Sequence, residues 1–435
     1  MAKPNNNKPR TNASPEGGNG TGHDVPSLGI GMIAKDEERN LPLSLGPLAK
    51  VWDECVVLDT GSRDRTIEVA GSFGAKVVYG KWEDDFALAR NTALRHAETD
   101  FVLWLDADNG LDPGDFLRLK DKLRDNPANS VLLCEELVVP QGDRLWQKRV
   151  FPRLQGFRFE GRIHEQLTHP EGARLIYTDV TIRHWGYRDP AEARRKGERN
   201  LALLLKDPKT LAGDSYALYQ TGRTLLNLRR HKEALGYLAR AAAAPGGNPS
   251  LRAHSLILAS DILQKSGETD EALSLLAGLA HDRPDYGPGR YFHGRLLYNL
   301  GRKAEAAGEL GRALALGLSD PGWGSAPGKL GFTCASMLGR ALRDQNDPEG
   351  AKRAFRSAMA LDPSNPEPRV RLAELALGEG DNPSALAMVE EALELAPSHR
   401  RAHELFGRLA GLTGDHKNAG GPSAPGALTP EGAGF

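Results

Sequence analysis

The chain has 435 residues, 40 % of them apolar and 26 % charged, with 56 Lys and Arg against 57 Asp and Glu. Its length sets two domains as the expectation, and the charge balance leaves no basic field suited to nucleic acid. Three cysteines, Cys55, Cys134 and Cys334, make no CxxC pair and no zinc spacing, which fits a reducing compartment. With no apolar leader in the first 26 residues and no run near the ~18 apolar residues of a membrane span, a soluble, cytoplasmic protein is expected.

Residues 1–26 and 417–435 are poor in apolar residues and rich in Gly, Pro, Asn or Ala, and are predicted to be disordered tails without chemistry. The next segments alternate. SLGIGMIA (27–34) predicts a strand, DEERNLPLSLGPLAKV (36–51) a helix and ECVVLD (54–59) a second strand ending in a TGSRD turn. RTIEVAGSFG (65–74) predicts a helix closed by Gly74. AKVVYG (75–80) predicts a strand, DFALARNTALRHA (85–97) a helix and DFVLWLDAD (100–108) a fourth strand. Strands and helices in alternation imply a mostly parallel, Rossmann-like α/β sheet covered on both faces, with ligands at the carboxyl ends of its strands.

Beyond Arg188 the pattern becomes helical and repeats. Ala234, Ala272, Ala306, Ala351 and Ala385 occupy equivalent places, at steps of 38, 34, 45 and 34 residues. The long step holds the Gly/Pro insertion around Trp323, which has no functional reading. A period near 34, two helices per unit and a Pro after the second helix resemble the tetratricopeptide repeat (TPR), a helical solenoid in which neighbours bury one another's apolar faces. The expected division is a catalytic α/β domain over 27–205 and repeats over 212–416.

Two carboxylates, Asp106 and Asp108, emerge where the buried strand FVLWL stops. Hard cations such as Mg²⁺ or Mn²⁺ are held by one or two carboxylates plus phosphate oxygens, although Asp108 or Asp112 would equally serve to cap the following helix. Asp59 ends the second strand, Asp36, Glu37 and Glu38 follow the first, and Asp84 and Asp85 precede a helix carrying Arg90 and Asn91. Acidic side chains at one sheet edge accept hydrogen bonds from ribose or base, and an arginine pairs with phosphate; together they describe a nucleotide pocket.

The segments MIAKDEERNLPLSL, VVLDTGSRDRTIEVA, WEDDFALARNTAL and WLDAD, followed by KRVFPRLQGFRFEGRIHEQL and IRHWGY, resemble the family 2 glycosyltransferases of GT-A fold, in the bacterial branch fused to TPR repeats. The resemblance covers roughly 27–199. Asp36 stands where that family usually has Asn, and Asn109 where Glu often follows the DxD. The resemblance implies that Asp36, Glu37, Asp59, Asp85, Arg90 and Asp106 bind the nucleotide sugar, and that Asp106, Asp108 and His184 hold the metal. Taken alone, His184 reads more readily as a hydrogen-bonded core histidine beside Trp185, and the motif context brings the metal-binding reading level with it. Glu165 of GRIHEQL is the expected catalytic base, ahead of Glu135 and Glu136, against the alternative of a salt bridge to Arg162 or a neighbouring arginine.

The expected activity is metal-dependent inverting transfer of a hexosyl or N-acetylhexosaminyl group. The donor would be a nucleotide diphosphate sugar, UDP-linked as the first expectation, and the acceptor a peptide, protein or glycan held partly by the repeats. Self-association through the repeats is a second use for them. The rivals are a TPR interaction scaffold with an inactive transferase domain and a nucleotidyltransferase, whose Gly-rich phosphate loop is replaced here by Lys35-Asp36-Glu37-Glu38. Gly29-Ile30-Gly31-Met32-Ile33-Ala34 fits GxGxxA only formally, since no strand precedes it, and no P-loop motif occurs.

Overall fold

The computed structural model describes residues 26–413, apart from 127, 140–142, 154–155, 186–189 and 320–326. The expected tails and the Trp323 insertion lie outside the described residues. The chain opens with β1 (Leu28–Ala34), then a short α1 (Leu41–Ser44) and a 3₁₀ turn (Gly46–Leu48). One continuous helix over 36–51 is therefore not formed. Pro42 serves as an N-terminal helical residue, but Pro47 lacks the amide that would continue the ladder. Next come β2 (Glu54–Asp59), α2 (Thr66–Ser72), β3 (Lys76–Tyr79), α3 (Phe86–Arg95), β4 (Phe101–Trp104), β5 (Asn109–Gly110) and α4 (Pro113–Arg124). The domain closes with β6 (Ser130–Val138), β7 (Asp143–Pro152), the small hairpin β8 (Arg158–Glu160) and β9 (Gln166–Thr168), and β10 (Arg174–His184).

Eight strands form one sheet in the order β3-β2-β1-β4-β7-β6-β10-β5. The pairs β2–β3, β1–β2, β1–β4 and β6–β10 are parallel; β7 runs antiparallel between β4 and β6, and β5 antiparallel beside β10. The carboxyl ends of β1, β2, β4, β6 and β10 therefore share one edge, which is where Asp36, Asp59, Asp106, Glu136 and His184 stand. The sheet is buried on both faces. Leu28, Ile30, Met32, Phe116 and Leu119 pack on one side, and Val56, Leu58, Trp104, Phe151 and Phe159 on the other. Gly31 belongs to this packing: a Cβ there would sit 3.0 Å from the Trp104 ring. Its place in GxGxxA thus has a steric origin.

The remaining chain is helical: α5 (Pro190–Lys206), α6 (Pro208–Ala212), then the pairs α7 (Ser215–Asn227) and α8 (His231–Ala243), α9 (Pro249–Ser266) and α10 (Thr269–Asp282), α11 (Gly287–Asn299) and α12 (Lys303–Leu316). The pairs α13 (Pro327–Arg343) and α14 (Pro348–Leu361), and α15 (Glu367–Gly378) and α16 (Asn382–Leu395), precede a last helix, α17 (Arg400–Thr413). The small residue in the first helix of a pair has a packing cause. A Cβ on Gly222 would meet Leu238 at 2.8 Å, one on Gly294 would meet Leu310 at 2.9 Å, and one on Gly339 would meet Phe355 at 2.6 Å. Only a residue without a Cβ lets the two helices of a pair approach this closely. No described helix is long and apolar enough to cross a membrane.

Candidate functional site

The site is built around Asp106, just beyond β4. Its amide donates to Asn109 Oδ1 at 3.0 Å and Asn109 N donates back to its carbonyl at 2.9 Å, which fixes the turn. Arg90 Nη2 reaches Asp106 Oδ1 at 3.1 Å from α3, and Arg149 Nη1 reaches Oδ2 at 3.1 Å from β7. Burial alone would raise this carboxyl, but Arg90 and Arg149 outweigh it and hold it well below the usual carboxylate range. Asp106 is thus ionised and bridges two guanidinium groups. It is not clustered with Asp108 and His184 as a third metal ligand, and among the described residues no group of three His, Cys, Asp or Glu is placed to hold a metal ion.

Asp108 lies apart, paired with His184 Nδ1 at 3.5 Å and with Lys196 Nζ at 3.3 Å from α5. His184 ends β10 and is fixed by β5: Asn109 Nδ2 lies 3.0 Å from His184 Nδ1, and Trp185 N donates to the Asp108 carbonyl at 3.1 Å. A Cβ at Gly110 would fall 2.3 Å from the Trp185 ring, so this pairing needs glycine there. Helix capping goes to Asp112, which accepts from Gly114 N at 2.8 Å. Asp108 brings a carboxylate and His184 an imidazole to one place at the sheet edge, within 3.5 Å of each other.

Glu165 sits in the loop between β8 and β9, its side chain 7 % exposed and Oε1 2.5 Å from Arg90 Nε. The expected alternative of a salt bridge is realised, with Arg90 as the partner. Burial raises the Glu165 carboxyl above its ordinary value, and Arg90 only partly offsets this. The Arg90 guanidinium lies between two rings, 4.9 Å from the Trp104 centroid and 5.0 Å from that of Phe159. Asn91 anchors the hairpin by a two-way bond with Phe159, donating to its carbonyl at 2.8 Å and accepting from its amide at 2.9 Å. Glu136 is committed to Arg149, and Glu135 to Arg144.

The remaining acidic residues stand at the same edge, their oxygens bonded into turns. Asp59, 2 % exposed, accepts from Gly61 N at 3.0 Å and Ser62 N at 3.2 Å. Asp36, at φ +57°, accepts from Arg63 N at 2.7 Å. Glu37 accepts from Asn40 Nδ2 at 2.6 Å, and Asp85 caps α3 through Leu88 N at 2.8 Å. Sequence reasoning missed Arg149 and Lys196. Arg149 follows Lys148 in a strand of mixed charge, and Lys196 lies on a mixed-charge helix 88 positions from Asp108, so neither gave a local sign.

Comparison with known proteins assigns the two halves to known families. Residues 30–188 match the model of glycosyl transferase family 2, and 257–326 and 342–409 match tetratricopeptide repeat families. Residues 30–188 thus form a family 2 glycosyltransferase domain, and tetratricopeptide repeats follow it in the same chain. It is 30 % identical over 263 residues to a TPR repeat-containing protein of Synechococcus elongatus, covering 57 % of this chain and 64 % of that protein. It is 25 % identical over 228 residues to the SPbeta prophage-derived glycosyltransferase SunS of Bacillus subtilis, covering 50 % of this chain and 53 % of that one. The chain therefore spans about half to under two thirds of the length of these curated relatives. Among solved structures, YrrB, described as a TPR protein with an unusual peptide-binding site, is 17 % identical with a TM-score of 0.36, over 44 % of this chain and 92 % of that one. PilF of Pseudomonas aeruginosa is 19 % identical with a TM-score of 0.38, over 47 % and 86 %. At these scores the structural likenesses carry no argument.

Proposed function

We propose that the chain transfers a sugar, hexosyl or N-acetylhexosaminyl, from a UDP-linked donor to a peptide, protein or glycan acceptor, with inversion at the anomeric carbon. The carrying observation is one buried carboxylate, Glu165, held beside Asp106 by the same arginine, at the edge that ends in Asp108 and His184. Asp36, Glu37, Asp59 and Asp85 shape the loops that would receive the nucleoside, a reading supported by their common position at the strand exits. Asp108 and His184 would hold a Mn²⁺ or Mg²⁺ ion. Such an ion, when bound, offsets charge on the diphosphate as a Lewis acid.

The chain's own residues account for the rest. Lys196, beside Asp108, supplies positive charge where the diphosphate departs. Arg90, committed to Asp106 and Glu165, orients both. Glu165 takes the acceptor's proton on Oε2 as the acceptor atom bonds to the anomeric carbon, while the electrons of the breaking C–O bond leave with the diphosphate. The division at 205–212 is supported by the sheet ending at His184 and the helix pairs beginning at Ser215. Three free, buried thiols, with burial pushing Cys134 up to about 11 and Cys334 up to about 12, suit a reducing cytoplasm.

Calorimetric titration with UDP tests the donor site. Binding should require Mn²⁺ or Mg²⁺, vanish with chelator and weaken at least 10-fold in Asp108→Ala. Binding that is unaffected by both chelator and Asp108→Ala would refute the metal assignment. Absence of nucleotide binding under every condition would favour the scaffold reading.

A further inference from the structure

We propose that Tyr216, in the first helix of the repeats, is a positioning residue for Glu165, so that the helical half completes the acceptor side of the catalytic site. The proposal rests on the reading of Glu165 as the base.

Glu165 lies in the loop that joins β8 to β9 between the cross-strand pair Glu160 and Gln166, so the ladder itself does not hold its backbone. The loop is bent at Gly161, φ +103°, and at His164, φ +51°. A non-glycine residue in the left-handed region costs about 1 kcal/mol, so the turn needs support from outside. α3 supplies part of it, through Phe86 N donating to the Arg162 carbonyl at 2.8 Å.

The helical half supplies the rest. Ile163, 7 % exposed, packs against Leu203 and Leu204 of α5 together with Trp82 and Phe86. Tyr216 stands in the first turn of α7, which Asp214 caps by accepting from Ala217 N at 2.9 Å. Its hydroxyl accepts from Gln166 Nε2 at 3.1 Å and donates to the His164 carbonyl at 3.5 Å. These two contacts straddle Glu165, one residue before it and one after. Gln166 Nε2 also reaches the His164 carbonyl at 3.3 Å, which closes a small triangle around the bend.

Two further features place Tyr216 within reach of the carboxylate's field. Burial raises the phenol's pKa, and the Glu165 charge adds to the rise while Gln220 and Arg223 oppose it. The neighbouring His164 ring is buried with Nε2 unpartnered, and burial together with Arg223 of the same α7 helix keeps it neutral. The Glu165 side chain is thus held by Arg90 of α3, while its two chain neighbours are held by a hydroxyl of α7. Without the hydroxyl the backbone on either side of Glu165 loses its contact with α7, and the pull of Arg90 on the carboxylate is less opposed. A ligand that shifts α7 would act on the base by the same route.

The test uses the full chain with Tyr216→Phe, which keeps the ring and its packing. Hydrogen–deuterium exchange, which needs no substrate, should show faster exchange of the 161–166 amides and unchanged protection of the sheet. With UDP-glucose and UDP-N-acetylglucosamine as donors, kcat should fall roughly 5- to 10-fold, the scale of one hydrogen bond, at unchanged donor KM. In the Glu165→Gln background the same substitution should cause no further loss, because it acts through that carboxylate. Unchanged exchange in the hairpin, or an equal loss of kcat in both backgrounds, overturns the proposal. If Glu165→Gln retains full turnover, the base reading has failed and this proposal falls with it. If Glu165→Gln abolishes turnover while Tyr216→Phe is silent, only the positioning role has failed.

Discussion

Asp106 shows how far one carboxylate can be committed. Both of its oxygens are taken by guanidinium groups, with Arg149 8 % and Arg90 15 % exposed. Asp106→Ala leaves two largely buried guanidinium groups with one carboxylate partner each, Glu165 and Glu136, and should destabilise the fold by about 2 to 3 kcal/mol in urea titration. Asp108→Ala, which takes a partner from one cation, Lys196, that is 24 % exposed, should cost less stability and more activity. Glu165→Gln should lower kcat by about 10²- to 10⁴-fold, the range for a general base, without loss of the urea midpoint. Because burial raises the Glu165 carboxyl, the acid limb of the pH–rate profile should lie above the ordinary value of 4.5. His164 gives a separate signature. Burial and Arg223 push its pKa from 6.5 down to about 4, so the folded protein binds this proton more weakly than the unfolded chain. Stability should be full above pH 6.5 and decline as pH falls toward about 4. His164→Gln should flatten that decline in urea midpoints measured at pH 7.5 and 5.

At the scale of elements, the glycines of the repeats divide by environment. Gly339→Ala drives a methyl into the Phe355 ring at 2.6 Å and should destabilise by about 1 to 3 kcal/mol. Gly311→Ala, in α12 with open space around the added carbon, should stabilise by about 0.5 to 1 kcal/mol through helix propensity. The elements also show what the sequence disclosed. ECVVLD predicts a strand and is β2 to the residue, because a short apolar run bounded by charge and a turn leaves little choice. The repeat period was visible for the same kind of reason, since each pair requires the same small residue at the same place. Over 36–51 the apolar periodicity that predicts one helix is overridden by Pro42 and Pro47, which divide it into a short helix and a 3₁₀ turn. The Asp106 network was only half legible. Asp106 and Arg90 stand on recognisable motifs, whereas Arg149 and Lys196 meet them through β7 and α5, contacts that depend on tertiary placement and leave no local pattern.

Across the whole molecule, the two halves are joined at the loop that carries Glu165 and not only by the chain. Ile163 is buried against Leu203 and Leu204, Lys196 reaches Asp108, and Tyr216 contacts both neighbours of Glu165. Leu204→Ala should accordingly cost about 2 to 4 kcal/mol and lower turnover as well, since the cavity opens beneath the loop that carries Glu165. The central claim is that this assembled edge cleaves a nucleotide sugar. It is tested most directly by nucleoside diphosphate release from a panel of UDP-, GDP- and dTDP-sugars, comparing the full chain with Asp108→Ala. The account predicts release from a UDP-sugar that stops with chelator and is reduced at least 100-fold in the variant, the scale of losing one principal electrostatic contributor. Equal release by both proteins, or none from any donor in the presence of Mn²⁺ and Mg²⁺, would contradict it.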